Sequence, residues 1–188
     1  MNYDKIDWCI ILCIVLMGLL GSMLFWFALT AEGHKETEMA IRNQIEGILV
    51  KWECGSTPLD KLLTVKHDGS GLVVGVGHDI TPSDGYELGD TITIDKMNYF
   101  LHHDMSSAIS GSYDLVGSYY KLPKNVRVVL ACMCFQLGKR GVSKFVKMLA
   151  AIESGDYYTA ANEMLDSEWA KQTSSRAKAM AKLMTEVE

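Results

Sequence analysis

The chain has 188 residues and a formal net charge of −5, with 18 Lys and Arg residues against 23 Asp and Glu residues. This length allows one domain of ordinary size and a short additional segment. Because the charge is mildly acidic and no run of Lys or Arg occurs, the composition argues against a broad nucleic-acid-binding surface.

The first predicted element is a membrane span over residues 8–29, WCIILCIVLMGLLGSMLFWFAL, which contains no charged residue. A helix of this length covers roughly 33 Å, enough to cross the hydrocarbon core of a bilayer. A buried core helix normally has a polar face, and a signal peptide has a shorter apolar run of about 7–15 residues. We therefore assign residues 1–30 to an N-terminal transmembrane segment and 31–37 to a polar linker.

The remaining residues, 38–188, are predicted to form an α+β domain. A stripe of Ile, Leu and Trp residues predicts a helix that ends near Trp52. Two β-like runs, 62–65 and 71–76, are joined by the turn-rich KHDGSG and predict a hairpin. The rest of the domain is predicted to be helical, with a helix N-capped by Thr93, a buried helix from Pro123 to Gly138, and shorter helices at about 143–152, 157–165 and 174–186.

The glycine-rich stretch KHDGSGLVVGVGHD, residues 66–79, raises the question of a phosphate-binding loop. A dinucleotide-binding fingerprint requires G-x-G-x-x-G between a strand and a helix, and a Walker loop requires G-K-[ST]. Neither spacing occurs, and Pro82 and Gly85 follow where a helix would be needed. The glycines are therefore interpreted as backbone positions of a hairpin.

No metal site is predicted from the cysteines or from the sequence HHD at 102–104. Cys132 and Cys134 lie in an apolar run and are expected in the core. Adjacent histidines on a helix point about 100° apart, so His102 and His103 do not converge on one ion.

Several motifs stand at fixed spacing over residues 38–188. VKWE closes the first helix of the domain, the hairpin ends in VGVGH, TIDKMNYFLHHD ends in an aspartate, and a long stretch runs from CFQLGKRGV to QTSSRAK. Together these motifs resemble the phage-type (T4-like) lysozymes, glycoside hydrolase family 24. TIDKMNYFLHHD is similar to a family helix that ends in an aspartate, and the long stretch follows the family's F-Q-M-G…G-V…F…W…Q-T…R-A-K pattern without a gap. The resemblance implies a two-lobed domain, a small β-hairpin lobe and a helical lobe, that hydrolyses the β-1,4 bond between N-acetylmuramic acid and N-acetylglucosamine in peptidoglycan, with no cofactor.

Such hydrolysis uses a carboxylic acid on one side of the scissile bond and a carboxylate on the other. For the acid, Glu53 has the family's setting of hydrophobic–Lys–aromatic–Glu at the end of a helix. Glu46 has the family's Glu-Gly dipeptide and is the alternative. Glu53 needs the smaller insertion before His78, and we predict it as the acid.

The second carboxylate is predicted to be Asp68, in the hairpin turn. An ungapped count back from VGVGH puts His67 at the family's position, so Asp68 requires a shift of one residue, and Asp60 is an alternative. The family's threonine, which helps hold the attacking water, corresponds to Val73, whose side chain cannot form a hydrogen bond. Either Thr64 or Ser70 then substitutes, or the hydrolytic step differs.

The resemblance also implies supporting residues. Arg176 matches the arginine that pairs with the catalytic glutamate, and His78 and Asp104 match an ion pair between the lobes. Gln136 and Trp169 resemble a pair that joins the helices beneath the cleft.

Three further positions correspond to substrate contacts of the family. Phe135 matches a cleft-lining residue that contacts the sugar. Asp79 and Glu163 fall on other contact positions but differ from the family's residue types.

Cys54 directly follows the predicted acid, where the family usually has glycine. Some membrane-released phage lysozymes are held inactive by a disulfide near the catalytic residue until a thiol of the extracted membrane segment replaces it. Cys13, in the predicted span, and Cys54 supply such a pair for redox control in an oxidising compartment such as the periplasm.

These features predict a phage endolysin that degrades peptidoglycan for host cell lysis. We expect a monomer in the host inner membrane, single-pass through its N-terminal helix and facing the periplasm, or released there. A virion-associated lysozyme that penetrates the wall is an alternative with the same chemistry. A catalytically impaired lysozyme-fold module that binds peptidoglycan is the alternative from another class.

Overall fold

The computed structural model describes residues 31–33, 35–69 and 71–186, and the chain divides into two compact units, Met1–Ala40 and Ile41–Glu188. The predicted membrane span at 8–29 lies outside the described residues. Within those that are described, no helix has both the length and the apolar character needed to cross a bilayer. In the first unit, residues 31–33 and 35–40 are helical. The predicted linker is therefore helical where it is described, because its Ala, Glu and Lys residues favour helix.

The second unit is a small antiparallel sheet followed by a mostly helical body. It begins with helical residues 41–49 (α1), which run into a π-helical turn at Val50–Cys54. The elements that follow are α2 (Leu59–Leu62), β1 (Lys66–His67), β2 (Leu72–Val74), β3 (His78–Asp79), α3 (Ile94–Tyr113), a 3₁₀ turn (Tyr119–Lys121), α4 (Lys124–Val142), α5 (Val146–Glu153), α6 (Tyr157–Leu165), α7 (Glu168–Gln172) and α8 (Ser174–Thr185).

The sheet begins later in the chain than the sequence predicts. The predicted strand at 62–65 is wrong, because Leu62 ends the helical turn α2 and Thr64 forms only an isolated bridge. Pro58 precedes α2, and its carbonyl accepts a hydrogen bond of 3.1 Å from the backbone N–H of Leu62. With its φ fixed near the helical value, the proline favours a helical turn in the residues that follow it.

In the described residues the strands form one sheet in the order β1-β2-β3, antiparallel throughout. Lys66 lies opposite Val73, and Val73 lies opposite Asp79. On the neighbouring register position, Val74 lies opposite His78. The predicted strand at 71–76 contains β2, whereas the third strand was not predicted.

Buried apolar side chains of this unit form two clusters. The larger one joins α1 with the helices from α3 to α8. The smaller one consists of Val65, Val74, Ile92 and Phe100, and it packs the sheet against α3. The β-hairpin region thus has an apolar core of its own, which holds one face of the sheet against α3.

The helical body follows the sequence closely. Thr93 is the N-cap of α3 and accepts a hydrogen bond of 3.1 Å from the backbone N–H of Lys96, which confirms the predicted cap. The predicted helix at 157–165 is confirmed as α6. The predicted stop at Gly138 is a kink within α4, where φ is 67° and ψ is 160°, and the helix resumes to Val142. The short helix α7 was not predicted.

Candidate active site

Glu53 lies in the π-helical turn Val50–Cys54, with which the first helix of the unit ends. Gly55 follows this turn and has a φ of 53°. Its Oε1 is 2.7 Å from Nη1 of Arg176, and both side chains are mostly buried, with 23 % and 16 % of their surfaces exposed. The structure therefore brings together the predicted acid and the predicted arginine, although they are far apart in the chain.

Arg176 is held in place by a second contact with the same helix end. It belongs to α8, and its Nη2 donates a hydrogen bond of 3.2 Å to the backbone carbonyl of Trp52. Its guanidinium carbon is 5.7 Å from the centre of the Trp52 ring, a cation–π arrangement. These contacts fix the direction from which the guanidinium approaches Glu53.

The second carboxylate oxygen of Glu53 is directed towards the sheet. A Cβ added to Gly77 would lie 3.9 Å from Oε2 of Glu53, so the turn between β2 and β3 runs beside this oxygen. Gly77 has a φ of 79°, a conformation that residues with a side chain rarely adopt. One oxygen of Glu53 is thus held by Arg176 while the other lies next to the sheet.

A small cavity of about 10 Å³ adjoins this pair. Its lining includes Glu53, Arg176 and Cys132, a buried cysteine of α4. Burial raises the pKa of the Cys132 thiol to about 12, with a lowering contribution from Arg176 and a raising one from Glu53. The thiol therefore stays neutral at physiological pH and adds no charge next to the ion pair.

Glu46, the alternative acid, lies on α1 about two helical turns before Glu53. It is half-buried. The guanidinium of Arg176 contacts Glu53. The local geometry thus favours Glu53 over Glu46 as the partner of the arginine.

Asp68 lies at the tip of the hairpin, in the turn between β1 and β2. It is exposed, and its Oδ1 accepts a hydrogen bond of 3.2 Å from the backbone N–H of Gly71. The aligned residue, His67, is exposed on β1, and Asp60 is exposed on α2. Asp68 therefore acts at least in part as the residue that closes the turn.

Val73, at the position of the family's threonine, is buried in β2 with 6 % of its surface exposed. Of its proposed substitutes, Thr64 donates its hydroxyl to the backbone carbonyl of Asp60 at 2.7 Å. Ser70 lies outside the described residues. The threonine's polar contact is therefore not reproduced by Thr64 in this arrangement.

His78 and Asp104 form the predicted pair between the sheet and α3. Nδ1 of His78 is 2.7 Å from Oδ2 of Asp104, and the imidazole stacks on Phe100 with ring centres 3.8 Å apart. Nε2 of His78 is 3.9 Å from Oδ2 of Asp84. Hydrogen bonds from the hydroxyl and the backbone N–H of Thr81 hold the pKa of Asp84 below its usual value.

Gln136 and Trp169 are also brought together as predicted. The indole Nε1 of Trp169 donates a hydrogen bond of 3.0 Å to Oε1 of Gln136, and the Trp169 ring meets Phe145 edge-on. Phe135, the predicted sugar contact, is half-buried and packs against the large apolar cluster. The hydrogen bond between Trp169 and Gln136 connects α7 with α4.

An open cavity of about 620 Å³ lies next to Trp169, which also borders the small cavity at Glu53. Phe145 and Met148 contribute apolar surface to its lining. The charged residues of the lining carry both signs and are Lys144, Lys147, Glu163, Asp166 and Glu168. Its size suits a saccharide or a peptide carrying charges of both signs.

Cys54 is a half-buried free thiol beside Glu53, and Cys132 and Cys134 are buried free thiols of α4. Burial and then the Glu53 charge raise the pKa of Cys54, and Lys66 opposes them. Cys13 lies outside the described residues. The disulfide control that pairs Cys13 with Cys54 stays a prediction.

Three residues lie next to the site although the sequence did not predict them there. Asp84 approaches His78, Gly77 adjoins Glu53, and Cys132 lines the cavity beneath the ion pair. Gly77 carried a signal, since a glycine beside a strand can mark a position where another group approaches the backbone closely. Asp84 and Cys132 carried none, because their positions depend on how distant parts of the chain pack.

Residues 61–185, more than half of the chain, match the model of the phage lysozyme family. The chain is 30% identical over 140 residues to the probable T4-type lysozyme 2 of Dictyostelium discoideum, across 63% of this chain and 82% of that protein. It is 32% identical over 105 residues to the pre-baseplate central spike protein Gp5 of Enterobacteria phage T4, across 54% of this chain but only 17% of the spike protein. The chain therefore belongs to the phage lysozyme family.

Proposed function

We propose that this protein is a muramidase that cuts the β-1,4 bond between N-acetylmuramic acid and N-acetylglucosamine in peptidoglycan, with Glu53 as its acid. The observation that carries the proposal is the placement of Glu53. Its Oε1 is held 2.7 Å from Arg176, and its Oε2 lies beside the turn at Gly77. Membership in the phage lysozyme family supports this reading.

The chemistry follows from the two oxygens of Glu53. Arg176 engages Oε1 and fixes the carboxyl plane, so Oε2 is the oxygen from which a proton reaches the leaving glycosidic oxygen. Gly77 has no side chain, so the turn passes close to Oε2 without covering it with a side chain. The open cavity beside Trp169 offers a binding surface for the adjoining glycan or its peptide.

The reaction also needs a carboxylate on the other side of the bond. Asp68 is the residue predicted for this role from the sequence. Its side chain is exposed and accepts a hydrogen bond from the backbone N–H of Gly71 in the hairpin turn.

We further propose that the enzyme is an endolysin that acts from the host inner membrane on the periplasmic side. The uncharged run at 8–29 supports a single-pass anchor. The similarity to a phage spike protein is compatible with the virion-associated alternative.

The test is a turbidity assay on cells whose outer membrane has been stripped, with the wild type, Glu53→Gln and Glu46→Gln. We expect the wild type and Glu46→Gln to clear the suspension and Glu53→Gln to be inactive. Loss of clearing in Glu46→Gln alone would move the acid to Glu46. A wild type that binds sacculi but clears nothing would refute the enzyme.

A catalytically impaired module that binds peptidoglycan is the second candidate. Val73 favours it, because a buried valine stands where the resembled lysozymes use a threonine to hold water. Sedimentation with purified sacculi, without release of soluble fragments, is the result expected of such a module.

A further inference from the structure

We propose that Asp79 supplies the second carboxylate of the site and acts as the base that activates the attacking water. The inference rests on the proposed muramidase function and names a residue of that same site. It follows from the register of the sheet, from the contact between Gly77 and Glu53, and from the position of Asp68.

The register assigns Asp79 to the face of the sheet that is turned away from α3. Residues paired across antiparallel strands share a face, and neighbours along a strand alternate. Val74 and His78 are paired on the face that packs on α3, since both contact Phe100 through the small cluster or by stacking. Asp79, paired with Val73, therefore lies on the opposite face.

The same face carries Lys66. Lys66 is paired with Val73 and so shares the face of Asp79. Lys66, Val73 and Asp79 therefore form a row across the sheet on the face turned away from α3.

Asp79 also lies close to Glu53, because it is two residues after Gly77, which adjoins Glu53. A Cβ on Gly77 would lie 3.9 Å from Oε2 of Glu53. Asp79 follows Gly77 by two residues, which span at most roughly 7 Å, so its side chain begins within roughly 12 Å of the Glu53 carboxyl group. Inverting glycosidases separate their two carboxyl groups by about 6.5–9.5 Å, a range compatible with this position.

Asp68 lies at the other end of the hairpin. Its backbone N–H donates to the carbonyl of Gly71, and its Oδ1 accepts from the N–H of Gly71. Gly77 belongs to the turn at the opposite end of β2, a strand roughly 10 Å long. Asp68 also follows β1, which lies two strand spacings, roughly 10 Å, from β3 across the sheet.

The reaction with Asp79 as base is balanced. The carboxyl group of Glu53 gives its proton to the glycosidic oxygen as the bond from C1 to that oxygen breaks. A water oxygen forms the new bond to C1 from the other face while its proton passes to Asp79. Asp79 then releases this proton and Glu53 takes one up from solvent, so the net reaction consumes one water molecule.

This assignment also explains how the site can work with a valine at position 73. Asp79 is exposed, whereas its neighbour across the strands, Val73, is buried. A carboxylate on the same face takes the proton of the water directly, so a hydroxyl at position 73 is not required for activation.

The experiment measures the release of reducing ends from purified sacculi by the full chain and by Glu53→Gln, Asp79→Asn and Asp68→Asn. Asp95→Asn, a change of an exposed aspartate in the first turn of α3, is the matched control. We expect Asp79→Asn to lower kcat by about 10²–10⁴-fold, the usual contribution of a general base. The loss in Asp79→Asn is expected to exceed that in Asp68→Asn, and Asp95→Asn is expected to keep the wild-type rate.

A chemical rescue separates a catalytic role from a structural one. Sodium azide added to Asp79→Ala replaces the activated water, so we expect turnover to return and a glycosyl azide to form. A wild type with activity, an inactive Glu53→Gln and an active Asp79→Asn would overturn the assignment of Asp79 and leave the muramidase intact. An inactive wild type would overturn the muramidase itself, and the assignment with it. Loss of activity in Asp79→Asn without azide rescue of Asp79→Ala would also contradict a base at this position.

Discussion

Arg176 is the residue on which the geometry of Glu53 depends, because it contacts both the carboxylate and the Trp52 carbonyl of the same helix end. Arg176→Ala leaves a mostly buried carboxylate without this partner. We expect a loss of about 1.5–3 kcal/mol in the free energy of unfolding, as for a hydrogen bond to a charged group. Urea unfolding followed by circular dichroism measures it.

The matched control is Lys171→Ala. Its ion pair with Glu168 has a distance of 2.5 Å, but the two side chains are 67 % and 79 % exposed. Exposed pairs contribute about 0–1 kcal/mol. Equal losses in the two variants would show that Arg176 does not hold Glu53.

The buried thiols of α4 allow a prediction on pH. Burial raises the pKa of Cys132 and of Cys134 to about 12, from an ordinary value of 9.0. Their protonated form is favoured in the folded state, so this contribution to stability is complete below pH 9 and is lost as the pH rises towards 12. Among the cysteines that the structure describes, we expect iodoacetamide at pH 8 to modify Cys54 first, and Cys132 and Cys134 only after unfolding.

Mass spectrometry of the digested protein gives the extent of alkylation at each cysteine. The half-buried Cys54 serves as the internal reference within each sample. Alkylation of Cys132 at the rate of Cys54 in the folded protein would contradict its burial.

Among single residues, the contact between Glu53 and Arg176 was predictable, because the motifs that resemble the family include both residues. Glu53 and Arg176 meet in the structure, as do Gln136 and Trp169. The second carboxylate was harder to predict, because a shift of one residue in a hairpin turns a side chain to the other face of the sheet. The register observed in the sheet was needed to compare Asp68 with Asp79.

At the level of elements, the position of the sheet depends on the contacts between β3 and α3. His78 links the two through its 2.7 Å contact with Asp104 and its stacking on Phe100. We expect His78→Asn to lower the free energy of unfolding by about 1–3 kcal/mol, because the half-buried carboxylate of Asp104 loses its contact with the imidazole and the stacking on Phe100 is lost. Thermal and urea unfolding both report the change.

His103→Asn is the control for this element. Nδ1 of His103 is 3.2 Å from the other oxygen of Asp104, but its side chain is 65 % exposed, against 12 % for His78. Its removal is expected to cost less than about 1 kcal/mol. A larger loss in His103→Asn than in His78→Asn would contradict the role given to His78.

The elements that the sequence predicted well are those with a local signal. Thr93 caps α3 through its own side chain, and α6 has a clear apolar period. The hairpin was misplaced because LLTV has the composition of a strand, while Pro58 starts a helical turn just before it. The short helix α7 depends on Ser167, whose hydroxyl caps it, and on burial of Trp169 against other helices.

At the scale of the whole molecule, the compact unit Ile41–Glu188 contains the candidate site, and the predicted anchor lies in residues 1–30. Because an uncharged run of this length favours the bilayer, we expect the full chain to stay with membranes through carbonate extraction. A chain that begins at residue 31 is expected in the supernatant. Cell fractionation followed by immunoblotting measures both.

A membrane protein of known single-pass topology is the control for the extraction. Recovery of the full chain in the carbonate supernatant would contradict the anchor. Retention of the shortened chain in the membrane would place the attachment outside residues 1–30.

The central claim is that the enzyme hydrolyses the bond between N-acetylmuramic acid and N-acetylglucosamine with Glu53 as acid. The most direct measurement digests purified sacculi, reduces the products with borohydride and identifies their ends by mass spectrometry. We expect the wild type to produce N-acetylmuramitol ends and Glu53→Gln to produce none. Ends of N-acetylglucosaminitol or 1,6-anhydro-muramic acid, or the same products from Glu53→Gln, would contradict the claim.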